Sequence, residues 1–139
     1  MKKNDPVTHV MTRELVTLEI HEALSKARAL FEGSAIHHLP VTRGGELAGI
    51  LSWTDFVRIS FGEFGNQDGR GLDAMLDHTY KLADVMQSNP TTLQVTGTVR
   101  DAAQILSTGK FHSLPIVDGT KLVGLVTSSD LIRYLLDQY

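Results

Sequence analysis

Gly124-Leu125-Val126-Thr127-Ser128-Ser129-Asp130 is an apolar run that breaks into hydroxyls and one carboxylate, just before the apolar segment 131–136. The same phrase stands 75 positions earlier as Gly49-Ile50-Leu51-Ser52-Trp53-Thr54-Asp55. Sliding the sequence by 75 aligns residues 7–58 with 82–133 without a gap, with thirteen identities in 52 positions. The identities fall at chemically special places: Val10-Met11 with Val85-Met86, Leu39-Pro40 with Leu114-Pro115, Gly49 with Gly124, Asp55 with Asp130, Arg58 with Arg133. The chain is two copies of one unit.

Each copy reads as β-α-β-β-α. Residues 16–18 and 91–93 are short extended pieces, followed by helices over 21–32 and 98–108. Leu24, Ala27 and Phe31 share one face of the first helix, and Val99, Ala102 and Leu106 one face of the second. Strands begin at Leu39-Pro40 and Leu114-Pro115, with proline tolerated at their first positions. They turn at Arg43-Gly44-Gly45-Glu46 and Asp118-Gly119-Thr120-Lys121, and return over 47–51 and 122–126. A closing helix carries Phe56, Val57 and Phe61 in one copy, and Leu131, Ile132 and Leu136 in the other. A unit of this size buries little apolar surface alone. The expected fold is therefore α+β, two repeats packed about a pseudo-twofold axis, over 1–62 and 81–139. Residues 63–80 are a glycine-rich linker and a short helix, since 62–71 holds four glycines and reads as a mobile loop.

Composition narrows the function. The chain has 13 basic and 16 acidic side chains, without a concentrated basic face, which argues against a nucleic-acid backbone partner. It has no cysteine, so thiolate metal sites, disulfides and cysteine nucleophiles are excluded. No apolar run is long enough for a membrane span, and the polar start Met1-Lys2-Lys3-Asn4-Asp5-Pro6 lacks a signal-peptide core, so a cytoplasmic protein is expected. Six histidines invite a metal reading, but no His-x-x-x-His pair shares a helix with an acidic neighbour. No activated nucleophile or acid/base carboxylate pair is evident, and an enzyme is not expected.

The ordered set Val10-Met11-Thr12 and Asp84-Val85-Met86, Leu39-Pro40-Val41 and Leu114-Pro115-Ile116-Val117, and Gly49 to Asp55 with Gly124 to Asp130, resembles the cystathionine-β-synthase (CBS) domain, a module found in tandem pairs. It is similar to a stand-alone, bacterial-type pair. The resemblance implies a regulatory, energy-sensing module that takes AMP, ADP, ATP or a related adenosyl compound in two clefts between the repeats, with no required cofactor. One cleft would join Thr127, Ser129 and Asp130 to Val10, Met11, Val16, Ile36, His37 and His38. The other would join Ser52, Thr54 and Asp55 to Val85, Met86, Phe111, His112 and Ser113. Each aspartate, where a strand ends and a helix begins, could accept from both ribose hydroxyls. The following helix start could favour phosphate. Some family members carry His-Arg before Leu-Pro; here His38 and Ser113 replace the arginine, which implies affinity that weakens as pH rises through the imidazole range.

Two readings stay open at the same residues. Ser52-x-x-Asp55 and Thr127-x-x-Asp130 also read as helix capping boxes, which stabilise by about 1 kcal/mol and need no ligand. Arg58 and Arg133 read first as a solvated helix face and second as phosphate contacts. Trp53, opposite Ser128 in the alignment, makes the clefts unequal and either covers a base or fills a dimer surface. A homodimer is expected through apolar helix faces around Phe56, Phe61, Leu131 and Leu135. The competing functional reading is a ligand-free interaction module that dimerises or docks to a partner protein.

Overall fold

The computed structural model describes residues 4–64 and 69–139, with side chains outside 60–70. Two compact units result, one made of Val16–Pro90 and the other of the N-terminal segment to Leu15 together with Thr91–Tyr139. In the first, β1 (Leu18–Glu19) runs parallel to β2 (His38–Arg43), which turns antiparallel into β3 (Glu46–Ser52). Around these strands lie α1 (Leu24–Gly33), α2 (Trp53–Phe64), α3 (Gly69–Thr79) and the single turn α4 (Leu82–Val85). The short β4 (Gln87–Ser88) pairs antiparallel with β3.

The second unit repeats this plan. β5 (Leu93–Gln94) is parallel to β6 (Ser113–Asp118), which pairs antiparallel with β7 (Lys121–Thr127). α5 (Val99–Leu106) and α6 (Ser128–Asp137) complete it, with a 3-10 turn at Val7–His9. The hairpin registers match residue for residue at the 75-residue offset: His38 faces Ser52 as Ser113 faces Thr127, and a bulge follows Val41 as it follows Ile116. Gly44 and Gly45 both take positive φ (60° and 88°), as does Gly119 (67°), which is the backbone that tight hairpins need. Pro40 and Pro115 sit third in their strands rather than first. β1 and β5 begin opposite Val41 and Ile116, one residue beyond each proline, so little is asked of the missing N–H.

Each unit has its own apolar core. Leu24, Ala27 and Phe31 of α1 bury against Leu18, Leu39, Val41, Leu51, Phe56, Leu76 and Leu82. Ala102 and Leu106 of α5 bury with Val7, Met11, Leu114, Ile116 and Val126. A fully buried leucine contributes about 1.5–3 kcal/mol, so these faces hold the helices on their strands.

Three further expectations change. α1 begins at Leu24 rather than His21, because residues 19–22 close a turn of their own: the Glu19 N–H donates to Glu22 Oε2 and the Glu22 N–H to the Glu19 carbonyl. The described part of the supposed loop 62–71 is helical. Residues 62–64 finish α2 and 69–71 begin α3, while 65–68 lie outside the described residues. α3 is a docked element: Leu76 is fully buried, Asp73 meets Arg28 at 3.1 Å, and Asp77 accepts from the Ser25 N–H and hydroxyl at 2.8 and 2.6 Å.

The third change concerns which residues pack together. The segment that starts each sequence repeat packs in the compact unit holding the remainder of the other repeat. Val7 joins the core of α5 and β6, and Thr12 pairs with Leu125. Leu82 joins the core of α1 and β2, and Gln87 pairs with Ile50. The cuts at 62 and 81 read from the sequence mark repeats, and the compact units are cut near 15 and 90 instead.

Candidate functional site

Each return strand ends at a hydroxyl that caps the next helix. Thr127 Oγ1 accepts from the Asp130 N–H at 3.2 Å, and Asp130 Oδ2 accepts from the Thr127 N–H at 2.9 Å, so the capping box closes in both directions. In the first unit Ser52 Oγ accepts from the Asp55 N–H at 3.0 Å. The capping reading of both Ser/Thr-x-x-Asp turns therefore holds. It leaves chemical capacity in hand. An ionised carboxylate offers about four acceptor positions, and the cap uses one of those on Asp130.

The second oxygen has a cationic neighbour. Arg133 reaches Asp130 Oδ1 at 2.5 Å, and Arg58 reaches Asp55 Oδ1 at 3.5 Å. Both arginine side chains are mostly exposed (67% and 73%), while the aspartates are shielded (10% and 13%). The solvated-face reading of these arginines is right about exposure and missed the ion pairs. Exposed pairs of this kind are worth about 0–1 kcal/mol.

The backbone before Leu-Pro belongs to the same turn. The Trp53 N–H donates to the His37 carbonyl at 2.8 Å, and the Ser128 N–H to the His112 carbonyl at 3.1 Å. Two donors at the start of α6, and two at the start of α2, are therefore already engaged, so these helix starts have less to offer a phosphate than the sequence suggests. The side chains of His37 and His112 are exposed and that of His38 is half-buried. Among the described residues no group of three or more His, Asp or Glu is placed to hold a metal ion.

The Val-Met segments meet the capped turns directly. Met11 is buried (8% exposed) against Gly124, and Thr12 exchanges both backbone hydrogen bonds with Leu125, two residues before Thr127. Met86 lies on Gly49 in the same manner, with Gln87 paired to Ile50. A Cβ on Gly49 or Gly124 would lie 2.6 Å from the methionine Sδ, which is why each strand carries glycine there. Val10, Met11, Phe111, His112, Ser113, Thr127, Ser129 and Asp130 thus all lie in the second unit. Val16, Ile36, His37, His38, Ser52, Thr54, Asp55, Val85 and Met86 lie in the first. Ser113 is buried, Thr54, Ser129 and Val16 are exposed, and Ile36, Phe111, Val10, Val85 and Met86 are half-buried or pack on the cores.

Trp53 packs inward as a member of an aromatic trio. It stacks on Phe56 with centroids 5.8 Å apart and meets the edge of Phe31 at 5.6 Å. Phe56 is 2% exposed, so it cannot belong to an exposed dimer face, and Leu131 is half-buried on its own core. The side chain of Phe61 lies outside the described residues. The exposed apolar residues of α6 are Ile132, Leu135 and Leu136.

Comparison with known proteins identifies the family. The profile of the CBS domain matches twice, over residues 7–62 and 82–137. A CBS domain-containing protein of Dictyostelium discoideum is 30% identical over 134 residues, covering 94% of this chain and 90% of its own length. An uncharacterized protein of Methanocaldococcus jannaschii is 29% identical over 97% of this chain, which spans only 33% of that longer relative. The crystal structure of CBSX2 in complex with AMP superposes with a TM-score of 0.79 at 25% identity, covering 96% of this chain and 98% of that one.

Proposed function

The chain belongs to the CBS domain family, and from that premise we propose that it is a non-catalytic regulatory module that binds an adenine nucleotide or a related adenosyl compound through Asp55 and Asp130. The observation that carries this reading is the carboxylate built twice at a strand-to-helix step. Both carboxylates are shielded, that of Asp130 is fixed by its own cap, and the acceptor positions of a carboxylate suit the two ribose hydroxyls. Hydrogen bonds to a charged carboxylate contribute roughly 1.5–3 kcal/mol each. The solved relative in complex with AMP supports an adenosine ligand. The remaining candidate residues, Val10, Met11, Val16, Ile36, His37, His38, Ser52, Thr54, Val85, Met86, Phe111, His112, Ser113, Thr127 and Ser129, complete the proposed contacts to base, sugar and phosphate. No described helix is long and apolar enough to cross a membrane, and a cytoplasmic site of action is part of the proposal.

A thermal-shift panel with AMP, ADP, ATP, S-adenosylmethionine and NADH tests it. A ligand at a hundredfold excess over its Kd stabilises by about 2.7 kcal/mol, or roughly 5–10 °C for a domain of this size. Asp55→Asn with Asp130→Asn keeps an oxygen for the cap and removes the charge, so the fold should persist and the shift should fall away. No shift with any adenosyl compound, or an equal shift in the double variant, refutes the reading. A second reading, a ligand-free module that dimerises or docks to a protein partner, draws on the exposed Ile132, Leu135 and Leu136. It would be favoured by a silent panel together with a dimer in sedimentation that Leu136→Glu dissociates.

A further inference from the structure

The Asp–Arg pair occurs in both units at the same spacing, and its geometry is lopsided in a way that bears on ligand entry. The cap holds Asp130 by Oδ2, and Arg133 sits on Oδ1, the oxygen the cap leaves over. The carboxylate is shielded and the guanidinium is mostly in solvent, so the arginine is the member free to leave. Asp55 and Arg58 repeat the arrangement with a looser contact, 3.5 Å against 2.5 Å. Any further donor to Asp130 Oδ1 would have to share that oxygen with the guanidinium.

We propose that Arg133 and Arg58 are placeholders: each occupies Oδ1 of its aspartate in the unliganded protein and must release it before a ribose hydroxyl can use that oxygen. The inference rests on the adenosyl-binding reading above. The pair then acts as a built-in competitor that sets the affinity threshold. Because the Asp55 pair is longer, the Asp55 turn opens more readily, so the two turns differ in affinity without any difference in their aspartates. A bland i,i+3 surface pair would have no such effect on binding.

Adenosine is the discriminating probe, because it carries the diol and no phosphate for an arginine to attract. Calorimetric titration of the full chain is made at about 0.05 M and about 0.5 M salt. An uncharged ligand should bind almost independently of salt unless it must break an ion pair. The wild type should therefore bind adenosine more tightly at high salt. Arg133→Gln should bind it about two- to fivefold more tightly than wild type at low salt, as expected for release of an exposed pair, and should lose the salt dependence. Arg58→Gln should show the smaller gain, and neither variant should alter the melting temperature appreciably. Unchanged or weaker adenosine binding in Arg133→Gln, or a salt dependence equal to that of wild type, overturns the placeholder role while leaving the adenosyl reading intact. AMP binding without measurable adenosine binding in either protein also overturns it. A wild type that binds neither these two nor any other compound of the thermal-shift panel removes the adenosyl reading, and this inference with it.

Discussion

Gly124→Ala and Gly49→Ala are equivalent in sequence and should not be equivalent in effect. At Gly124 the new methyl would lie 2.6 Å from Met11 Sδ, 3.1 Å from its Cγ and 3.3 Å from its Cβ. Favourable carbon contacts lie at about 3.5–4.0 Å, so Met11, buried at 8% exposure, must be pushed aside. Overpacking of this kind costs about 1–3 kcal/mol, which lowers the melting temperature by roughly 2–4 °C per kcal/mol. The three nearest atoms all belong to one side chain. Met11→Ala alone should cost about 2–5 kcal/mol, and adding Gly124→Ala to it should cost little more, since the sulfur and Cγ are gone and only the retained Cβ at 3.3 Å is still close. The two changes should couple by about 1–3 kcal/mol.

At Gly49 the methyl meets Met86 Sδ at 2.6 Å and also the Gln87 carbonyl oxygen at 2.7 Å. That oxygen is backbone, held in register by the pairing of Gln87 with Ile50. Met86→Ala removes the sulfur and leaves the carbonyl, so Gly49→Ala should remain destabilising in the Met86→Ala background. Urea denaturation of the four single and two double variants, followed by circular dichroism, measures both cycles. Additive effects at Gly124 with Met11, or full rescue at Gly49 by Met86→Ala, would refute the packing argument.

Other substitutions probe the remaining elements. Thr127→Ala removes the acceptor for the Asp130 N–H and should cost about 1 kcal/mol in chemical denaturation, while Thr127→Ser should cost far less. Leu76→Ala should cost about 2–5 kcal/mol if α3 is an integral part of the first unit, and a loss below about 0.5 kcal/mol would return it to the status of a spacer. The Tyr134 hydroxyl donates to Asp5, and that hydrogen bond holds the phenol above its ordinary value. A raised folded-state value means the contribution is complete below the unfolded tyrosine value of about 10 and is lost as pH rises through the folded one. Melting temperature should therefore fall more steeply on the alkaline side in the wild type than in Tyr134→Phe, and parallel alkaline limbs would contradict this.

Much of the fold was legible because it rests on local chemistry. The faces of Leu24, Ala27 and Phe31, and of Val99, Ala102 and Leu106, follow from helical spacing, and the hairpin at Asp118-Gly119 from turn residues. The exchange of the repeat starts was not legible in composition or periodicity, since an offset of 75 is the same whichever copy Val7 and Leu82 pack against. The difference between Phe56 and its counterpart Leu131 was also hidden. α3 packs beside α1 and α2 and has no counterpart next to α6 among the described residues, and the same position is buried in one unit and half-buried in the other. At the candidate site the carboxylates and capping hydroxyls were visible as residue types. The carbonyls of His37 and His112 were not, nor, at the hairpin turns away from the site, was the clasp of the Gly119 backbone by Gln94, matched by Glu19 on the Gly44 N–H. Backbone partners leave little trace in sequence, and a turn clasp needs only a residue that can accept.

The decisive measurement is a crystal structure of the full chain grown with AMP. The expected result is a ribose whose hydroxyls lie within hydrogen-bond distance of the Asp55 or Asp130 carboxylate, with the neighbouring Arg58 or Arg133 turned away from Oδ1. An AMP molecule seated away from both aspartates, with both ion pairs intact, would contradict the assignment of these capped turns to an adenosyl ligand.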